Sequence, residues 1–270
     1  MPFEDPHAEN RSHNERESMK TLKELIAEKK SVFGIFAKTN DPMFIEIMGK
    51  TGIDFVILDC EHGPNSPREV LPLVLAARAS GLQAVVRVGT SSVIDIQRML
   101  DLGLSGVQVP QVQQEADAKN VVKAAKFAPL GNRGVCCNVR PADYALKKRQ
   151  DYFSEQNNDV TVIVHIEGKD GFDNLDSIMD VEGIDIFFIG PNDLSQSLGC
   201  PDVTHPKVIG TVNDIIEKCK KKGKHIGIYA DSVKSAMQYK SLGISYIACS
   251  TDVGIFARSC LEMSTAFEKA

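Results

Sequence analysis

The chain has 270 residues, of which 43% are apolar and 25% charged, and its formal net charge is −5. That length excludes a small disulfide-stapled scaffold and fits one α/β barrel of about 200–250 residues or two smaller domains, and the balance of residue types excludes disorder throughout. The absence of Trp, an aromatic content of only 6% and the negative charge argue against an aromatic platform for sugars or single strands, and against general affinity for nucleic acid or anionic membrane.

Residues 1–18 are almost free of apolar side chains and read as a flexible tail, with His7 and His13 solvated. From residue 19 to 270 a regular pattern implies a single domain. Leu22, Leu25 and Ile26 suit a short amphipathic helix, and residues 33–36 a strand. Asp41 is an N-cap with Pro42 at the first helical position, and Phe44, Ile45, Ile47 and Met48 follow on that helix. A strand at 54–58 leads to Ser66-Pro67-Arg68-Glu69, a capping box opening a helix that stops before Gly81. Strands are predicted at 84–88, 106–109, 161–166, 185–189, 226–229 and 246–249. The stretch 110–160 should hold a helix at about 115–127, a loop Gly131-Asn132-Arg133-Gly134, and a polar helix near 141–150. Val208, Val212, Ile215, Ile216 and Cys219 mark a further helix, bounded by Pro206 and Gly223.

One local pattern recurs. Gly52-Ile53-Asp54, Gly183-Ile184-Asp185, Gly243-Ile244-Ser245 and Gly103-Leu104-Ser105 each end a helix and open a strand. The strands are nearly continuous in apolar character, as parallel strands covered by helices are. Eight of them alternating with helices predict an α/β fold, a (β/α)8 TIM barrel. No G-x-G-x-x-G follows the first strand, which weakens a dinucleotide-binding reading. No run approaches the roughly 20 apolar residues that span a bilayer, and no secretory signal is visible. The seven Cys include no C-x-x-C pair, so free thiols in a reducing cytoplasm are expected.

In a barrel the chemistry sits at the carboxyl ends of strands. Those ends here carry Asp59-Cys60-Glu61-His62, Arg87, Pro110-Gln111, His165-Ile166-Glu167, Gly190-Pro191-Asn192-Asp193, Asp231 and Asp252. Glu167 and Asp193 follow neighbouring strands and can converge. They suit a hard divalent cation, or else are rim carboxylates paired with Lys or Arg. His165 shares a strand face with Glu167 and is a ligand, a supporting group or a satisfied buried His. His62, close to Asp59, suits a general base whose tautomer Asp59 fixes. Arg87 ends an apolar strand and is an oxyanion or carboxylate clamp, or a structural ion pair. Gly190-Pro191-Asn192-Asp193 opens a short helix whose amides suit a substrate carboxylate. Cys60 should point outward and act as packing. His205 and His225 lie away from the expected site.

Together these segments resemble the HpcH/HpaI aldolases, metal-dependent class II pyruvate aldolases on a TIM barrel. The resemblance is carried by Asp59-Cys60-Glu61-His62-Gly63-Pro64, Val85-Val86-Arg87, Val109-Pro110-Gln111-Val112, Gly131-Asn132-Arg133-Gly134-Val135, Ile166-Glu167 and Gly190-Pro191-Asn192-Asp193-Leu194-Ser195, over about residues 30–260. It implies a metal held by Glu167 and Asp193, with Mg²⁺ or Mn²⁺ foremost and Co²⁺ or Zn²⁺ as alternatives. It implies catalytic roles for His62, Arg87 and Asp59, and substrate contacts from Arg87, His165, Pro191, Asn192 and Asp193. The family usually has Gln where His165 stands and Gly where Cys60 stands.

The implied reaction is reversible cleavage of a 4-hydroxy-2-oxo acid to pyruvate and an aldehyde. The implied partners are a small 2-keto acid and an aldehyde, with no nucleic acid or membrane, in a homo-oligomer that family members suggest is a hexamer. A Schiff-base mechanism lacks a strand-end Lys; Lys169 is the nearest. The rivals are a related barrel lyase acting on phosphoenolpyruvate or a citryl-type thioester, and a barrel that has lost catalysis and only binds.

Overall fold

Eight parallel strands, paired in chain order, close β1 against β8 in a computed structural model that describes residues 19–269. They are β1 (Val32–Ala37), β2 (Phe55–Asp59), β3 (Gln83–Arg87), β4 (Gly106–Val109), β5 (Thr161–Ile166), β6 (Ile186–Ile189), β7 (His225–Ala230) and β8 (Tyr246–Thr251). The helices around them are α1 (Leu22–Lys29), α2 (Pro42–Lys50), α3 (Pro67–Ala79), α4 (Val93–Leu100), α5 (Glu115–Ala125) and α6 (Arg149–Asp159). They continue as α7 (Lys169–Asp173), α8 (Leu175–Met179), α9 (Pro191–Ser197), α10 (Pro206–Lys221), α11 (Val233–Ser241) and α12 (Asp252–Glu268). The expected (β/α)8 barrel is therefore present, with strand ends displaced by a residue or two. The tail expected over residues 1–18, with His7 and His13, lies outside the described residues. No helix among the described residues is long and apolar enough to cross a membrane.

The local signals act as their chemistry requires. Asp41 accepts a hydrogen bond from the Met43 amide at 2.9 Å, and Ser66 with Glu69 forms the capping box of α3. At the repeated Gly turns, Gly52, Gly183 and Gly243 have φ of 82°, 91° and 77°, which a side chain would strain. At the first two of these turns the Asp two residues later then ties adjacent strands together. Asp54 accepts from the Phe33 amide at 3.0 Å, and Asp185 from the Val162 amide at 2.8 Å.

Alternation along each strand divides the core in two. Val56, Leu58, Val86, Val164, Phe187 and Ile228 face outward and pack with the helices. Phe36, Phe55, Ile57, Ile163, Phe188 and Tyr246 fill the barrel interior, and Leu22 and Ile26 of α1 join that inner cluster. Phe55 stacks on Tyr246 with ring centroids 3.9 Å apart. The interior is thus solid at its centre, and polar groups are left to the carboxyl ends of the strands.

The segment between β4 and β5 differs from expectation. The polar helix predicted near 141–150 is instead a short 3-10 helix, Arg140–Ala145, followed by α6. Asp143, Tyr144 and Ala145 have φ of 47°, 56° and 73°, so the backbone cannot run on as one α-helix. Tyr152 and Phe153 then set the later start by packing on Phe127, at 5.2 and 4.3 Å between ring centroids. The buried Lys126 donates to the carbonyls of Asn157 and Val160 at 2.8 and 2.7 Å, completing the end of α6, and burial pushes its pKa down to about 8.

Gly34 faces Phe55 across the β1–β2 ladder, and a Cβ at Gly34 would lie 2.3 Å from the Phe55 ring. Overpacking of that kind costs about 1–3 kcal/mol, so Gly34→Ala should lower the free energy of unfolding by that amount, read as a lower urea midpoint. An unchanged midpoint would show that the interior has slack.

Candidate active site

Polar residues replace apolar ones at the inward positions near the ends of β2 to β5. Asp59 and Arg87 are register partners across β2 and β3, and Arg87 and Gln108 across β3 and β4. Arg87 Nε donates to Asp59 Oδ1 at 3.0 Å and Nη2 donates to Oδ2 at 2.8 Å, a bidentate pair with Asp59 wholly buried. Arg87 Nη1 lies 3.1 Å from Glu61 Oε2, and the guanidinium sits over the Phe36 ring at 4.8 Å. Burial alone would raise the Asp59 carboxyl. The hydrogen bond and charge of Arg87, with the amides of His62 and Glu61, outweigh it and hold the carboxyl below its usual range. Glu61 goes the other way: burial raises it despite Arg87.

Glu167 projects just beyond β5. Its Oε1 accepts from the Gln111 amide at 2.7 Å, and its Oε2 accepts from His165 Nδ1 at 2.6 Å. Gln111 adopts a φ of 55°, a left-handed conformation that aims this amide at the carboxylate. Burial would raise Glu167, but the hydrogen bonds from His165 and from the Gln111 amide hold it below its usual value. Gly190, at the end of β6, lies so close that a Cβ there would be 2.7 Å from Glu167 Oε2. Glycine is therefore required by the carboxylate opposite it.

These groups open into a cavity of about 290 Å³. Glu167 and Asp193 line it together with Arg87, Lys38 and His62, and Phe36, Phe188 and Tyr229 form an aromatic wall. Pro191 and Asn192 also line it. His165 is 1% exposed and stacks on Phe188 at 4.7 Å between centroids. Asp252 holds the loop that carries Lys38, accepting from the amides of Lys38 and Thr39 at 3.0 Å each.

The expectation that Asp59 orients the His62 imidazole needs correction. Asp59 accepts from the His62 backbone amide at 3.2 Å, while both its oxygens serve Arg87. The acid beside the imidazole is Glu61, with Oε2 3.8 Å from Nε2, and the His62 side chain is 56% exposed. Cys60 packs against the outer core, and burial pushes its thiol up to about 12, which leaves it inert as a nucleophile. Lys169 is exposed and paired with Asp173 outside the cavity.

Five contributors carry no role in the sequence reading: Gln108, Glu61, Lys38, the Gln111 amide and the aromatic wall. Gln108 carried a usable signal, a polar residue inside an apolar strand, as Arg87 does.

Among the described residues, no three His, Cys, Asp or Glu side chains gather into one ligand group. A site of two carboxylates leaves the other positions of a hard cation to water and substrate oxygens, which is how Mg²⁺ is usually bound.

The ionised Asp59 is favoured by folding, so its stabilisation is present above its unfolded pKa near 3.9 and is lost as pH falls through the lower folded value. Asp59→Asn leaves Arg87 with Glu61 alone. Stability at pH 7 should fall by the lower part of about 3–5 kcal/mol, and part of the acid dependence should vanish. Urea melts at pH 7 and pH 3 test both; equal stability of variant and parent at pH 7 would refute the buried pair.

Comparison with known proteins agrees with this geometry. The family described as HpcH/HpaI aldolase/citrate lyase matches residues 32–259. A 5-keto-4-deoxy-D-glucarate aldolase of Citrobacter koseri is 33% identical over 249 residues, 92% of this chain and 96% of the relative. The crystal structure of an HpcH/HpaI aldolase/citrate lyase family protein from Burkholderia cenocepacia J2315 superposes with a TM-score of 0.86 at 30% identity, covering 92% of this chain and 98% of that one. The structure of the citrate synthase SbnG gives a TM-score of 0.83 at 30% identity, over 92% and 98% of the two chains. The chain belongs to the HpcH/HpaI aldolase/citrate lyase family and is an enzyme of its aldolase kind.

Proposed function

We propose that the enzyme reversibly cleaves a 4-hydroxy-2-oxo acid to pyruvate and an aldehyde, with Glu167 and Asp193 holding a divalent cation, Mg²⁺ or Mn²⁺. The observation that carries this reading is the buried, ionised Glu167 sharing one cavity with Asp193 and Arg87. The curated relative's substrate is a keto-deoxy sugar acid by its name, which fits the same reaction class.

When bound, the cation supplies Lewis-acid polarisation of the keto group. The chain's own residues do the rest. Arg87 commits two N–H groups to Asp59, and Nη1 lies 3.1 Å from Glu61 Oε2 as an ion pair, which leaves N–H groups on both terminal nitrogens for an oxyanion. Held on both sides, it needs little reorganisation to stabilise the enolate oxygen as C3–C4 breaks. Asp59 is then a positioning residue. His62 accepts the C4 hydroxyl proton; the bond pair passes to C3 and the aldehyde leaves. The enolate takes up a proton to give pyruvate. Pro191, Asn192 and Asp193, together with His165, border the bound acid, and Lys38 with Arg87 supplies local positive charge.

A second reading keeps the enolate chemistry and changes the electrophile, as the likeness to SbnG favours. Activity on a 2-keto acid without phosphate or coenzyme A discriminates between them.

The enzyme is further read as a homo-oligomer, with a hexamer expected from the family resemblance. Support comes from α12, where Phe256, Leu261, Met263 and Phe267 are 62%, 66%, 72% and 86% exposed. Seven free cysteines, two of them exposed, suit a reducing compartment such as the cytoplasm.

Pyruvate release should be abolished by EDTA and restored by Mg²⁺ or Mn²⁺. Glu167→Gln should lower turnover by about 10²–10³ with its melting temperature retained. No turnover with any divalent metal, or full activity in the variant, would sink the aldolase reading or the metal assignment respectively. Light scattering should give a mass several times that of one chain, reduced by Leu261→Asp; a monomeric parent would refute the assembly.

A further inference from the structure

A buried hydrogen-bond chain runs behind Glu167, and the reaction proposed above does not use it. Tyr246 lies wholly within the barrel, and its hydroxyl donates to Gln108 Oε1 at 3.4 Å. The other end of that amide, Gln108 Nε2, is 2.5 Å from His165 Nε2. His165 Nδ1 is in turn 2.6 Å from Glu167 Oε2. The ring is also clamped face-on by Phe188.

The order of donors follows from what each group can do. Ionised Glu167 only accepts, so His165 Nδ1 carries a hydrogen. A buried Tyr246 hydroxyl needs an acceptor, which places the Gln108 carbonyl toward Tyr246 and its NH₂ toward His165. His165 Nε2 is then a bare acceptor. Turning the amide over would strip the Tyr246 hydrogen of this acceptor and set a carbonyl against Nε2.

We propose that Gln108 locks His165 in the neutral Nδ1–H tautomer, and that His165 is a positioning residue that fixes the Glu167 carboxylate rather than a metal ligand. Both ring nitrogens are engaged within the protein, so no imidazole lone pair is left for a cation. A cation held at Glu167 would therefore take no nitrogen from His165, which favours Mg²⁺ or Mn²⁺ over softer ions. This inference rests on the assignment of Glu167 as a metal carboxylate.

The test uses the full chain labelled with ¹⁵N-histidine, with His165 assigned by comparison with His165→Asn. In metal-free protein, multiple-bond ¹H–¹⁵N spectra should show a protonated Nδ1 and a bare Nε2, unchanged when Mg²⁺ or Zn²⁺ is added. Calorimetric Mn²⁺ affinity should fall about 10–100-fold in Gln108→Leu and His165→Leu, the range for losing a partner behind a ligand. His165→Asn, whose amide nitrogen takes the place of Nδ1, should keep affinity close to the parent. A ring protonated at Nε2 or at both nitrogens overturns the proposal. So does a metal-induced change of the ring ¹⁵N resonances, or unchanged Mn²⁺ affinity in both Leu variants. Turnover enters none of these readouts, so a chain that binds Mn²⁺ and releases no pyruvate fails the activity reading alone. A parent chain that binds no Mn²⁺ overturns both.

Discussion

Alternation of side chains around a closed barrel is the constraint on which the site depends. Each strand offers the interior one residue in two, and closure points all eight sets at one axis. Below the rim those positions are filled by rings and branched side chains such as Phe55, Ile163 and Tyr246. At the rim the same geometry brings Asp59, Arg87, Gln108 and His165 toward one centre, although β2 and β5 lie about a hundred residues apart in the chain. Glu167 continues the inward set of β5 by one further step.

Charges brought into such a centre are costly unless each is matched. The Asp59–Arg87 pair meets that requirement with two parallel hydrogen bonds, and Glu61 adds a third contact. Buried pairs of this kind contribute little net stability compared with an apolar core. What the pair does supply is a guanidinium that is already aimed before substrate arrives. The same logic resolves how a chain of net charge −5 can receive an anionic acid. Arg87 and Lys38 line the cavity itself, so the local field there is not set by the sum over the surface.

Much of this was legible before any coordinates. Apolar strands, Gly turns and Pro-started helices repeat often enough to give the barrel. Arg87 stands out because it interrupts an apolar run. The carboxyl ends of the strands named His62, Arg87, His165, Glu167 and Asp193, five of the six acidic or basic side chains that line the cavity; Lys38 is the sixth. What stayed hidden was partnership. Asp59 and Arg87 are 28 positions apart, and only strand register reveals that Asp59 serves Arg87 before His62. Gln108 and His165 are 57 positions apart, so their contact has no local signature. The segment after β4 was misplaced because its left-handed residues, Asp143, Tyr144 and Ala145, are not types that announce such a backbone.

The closeness of Gly190 to Glu167 couples two positions that lie 23 residues apart in the chain. Neither side chain can be varied independently: any residue with a Cβ at 190 must displace the carboxylate, and the carboxylate's reach sets how much room 190 has. Single-site libraries at Gly190 will therefore report intolerance that belongs to the pair. Paired libraries, in which a shorter acid at 167 accompanies a small side chain at 190, are the only route by which this corner of the barrel can be redesigned without losing its acid.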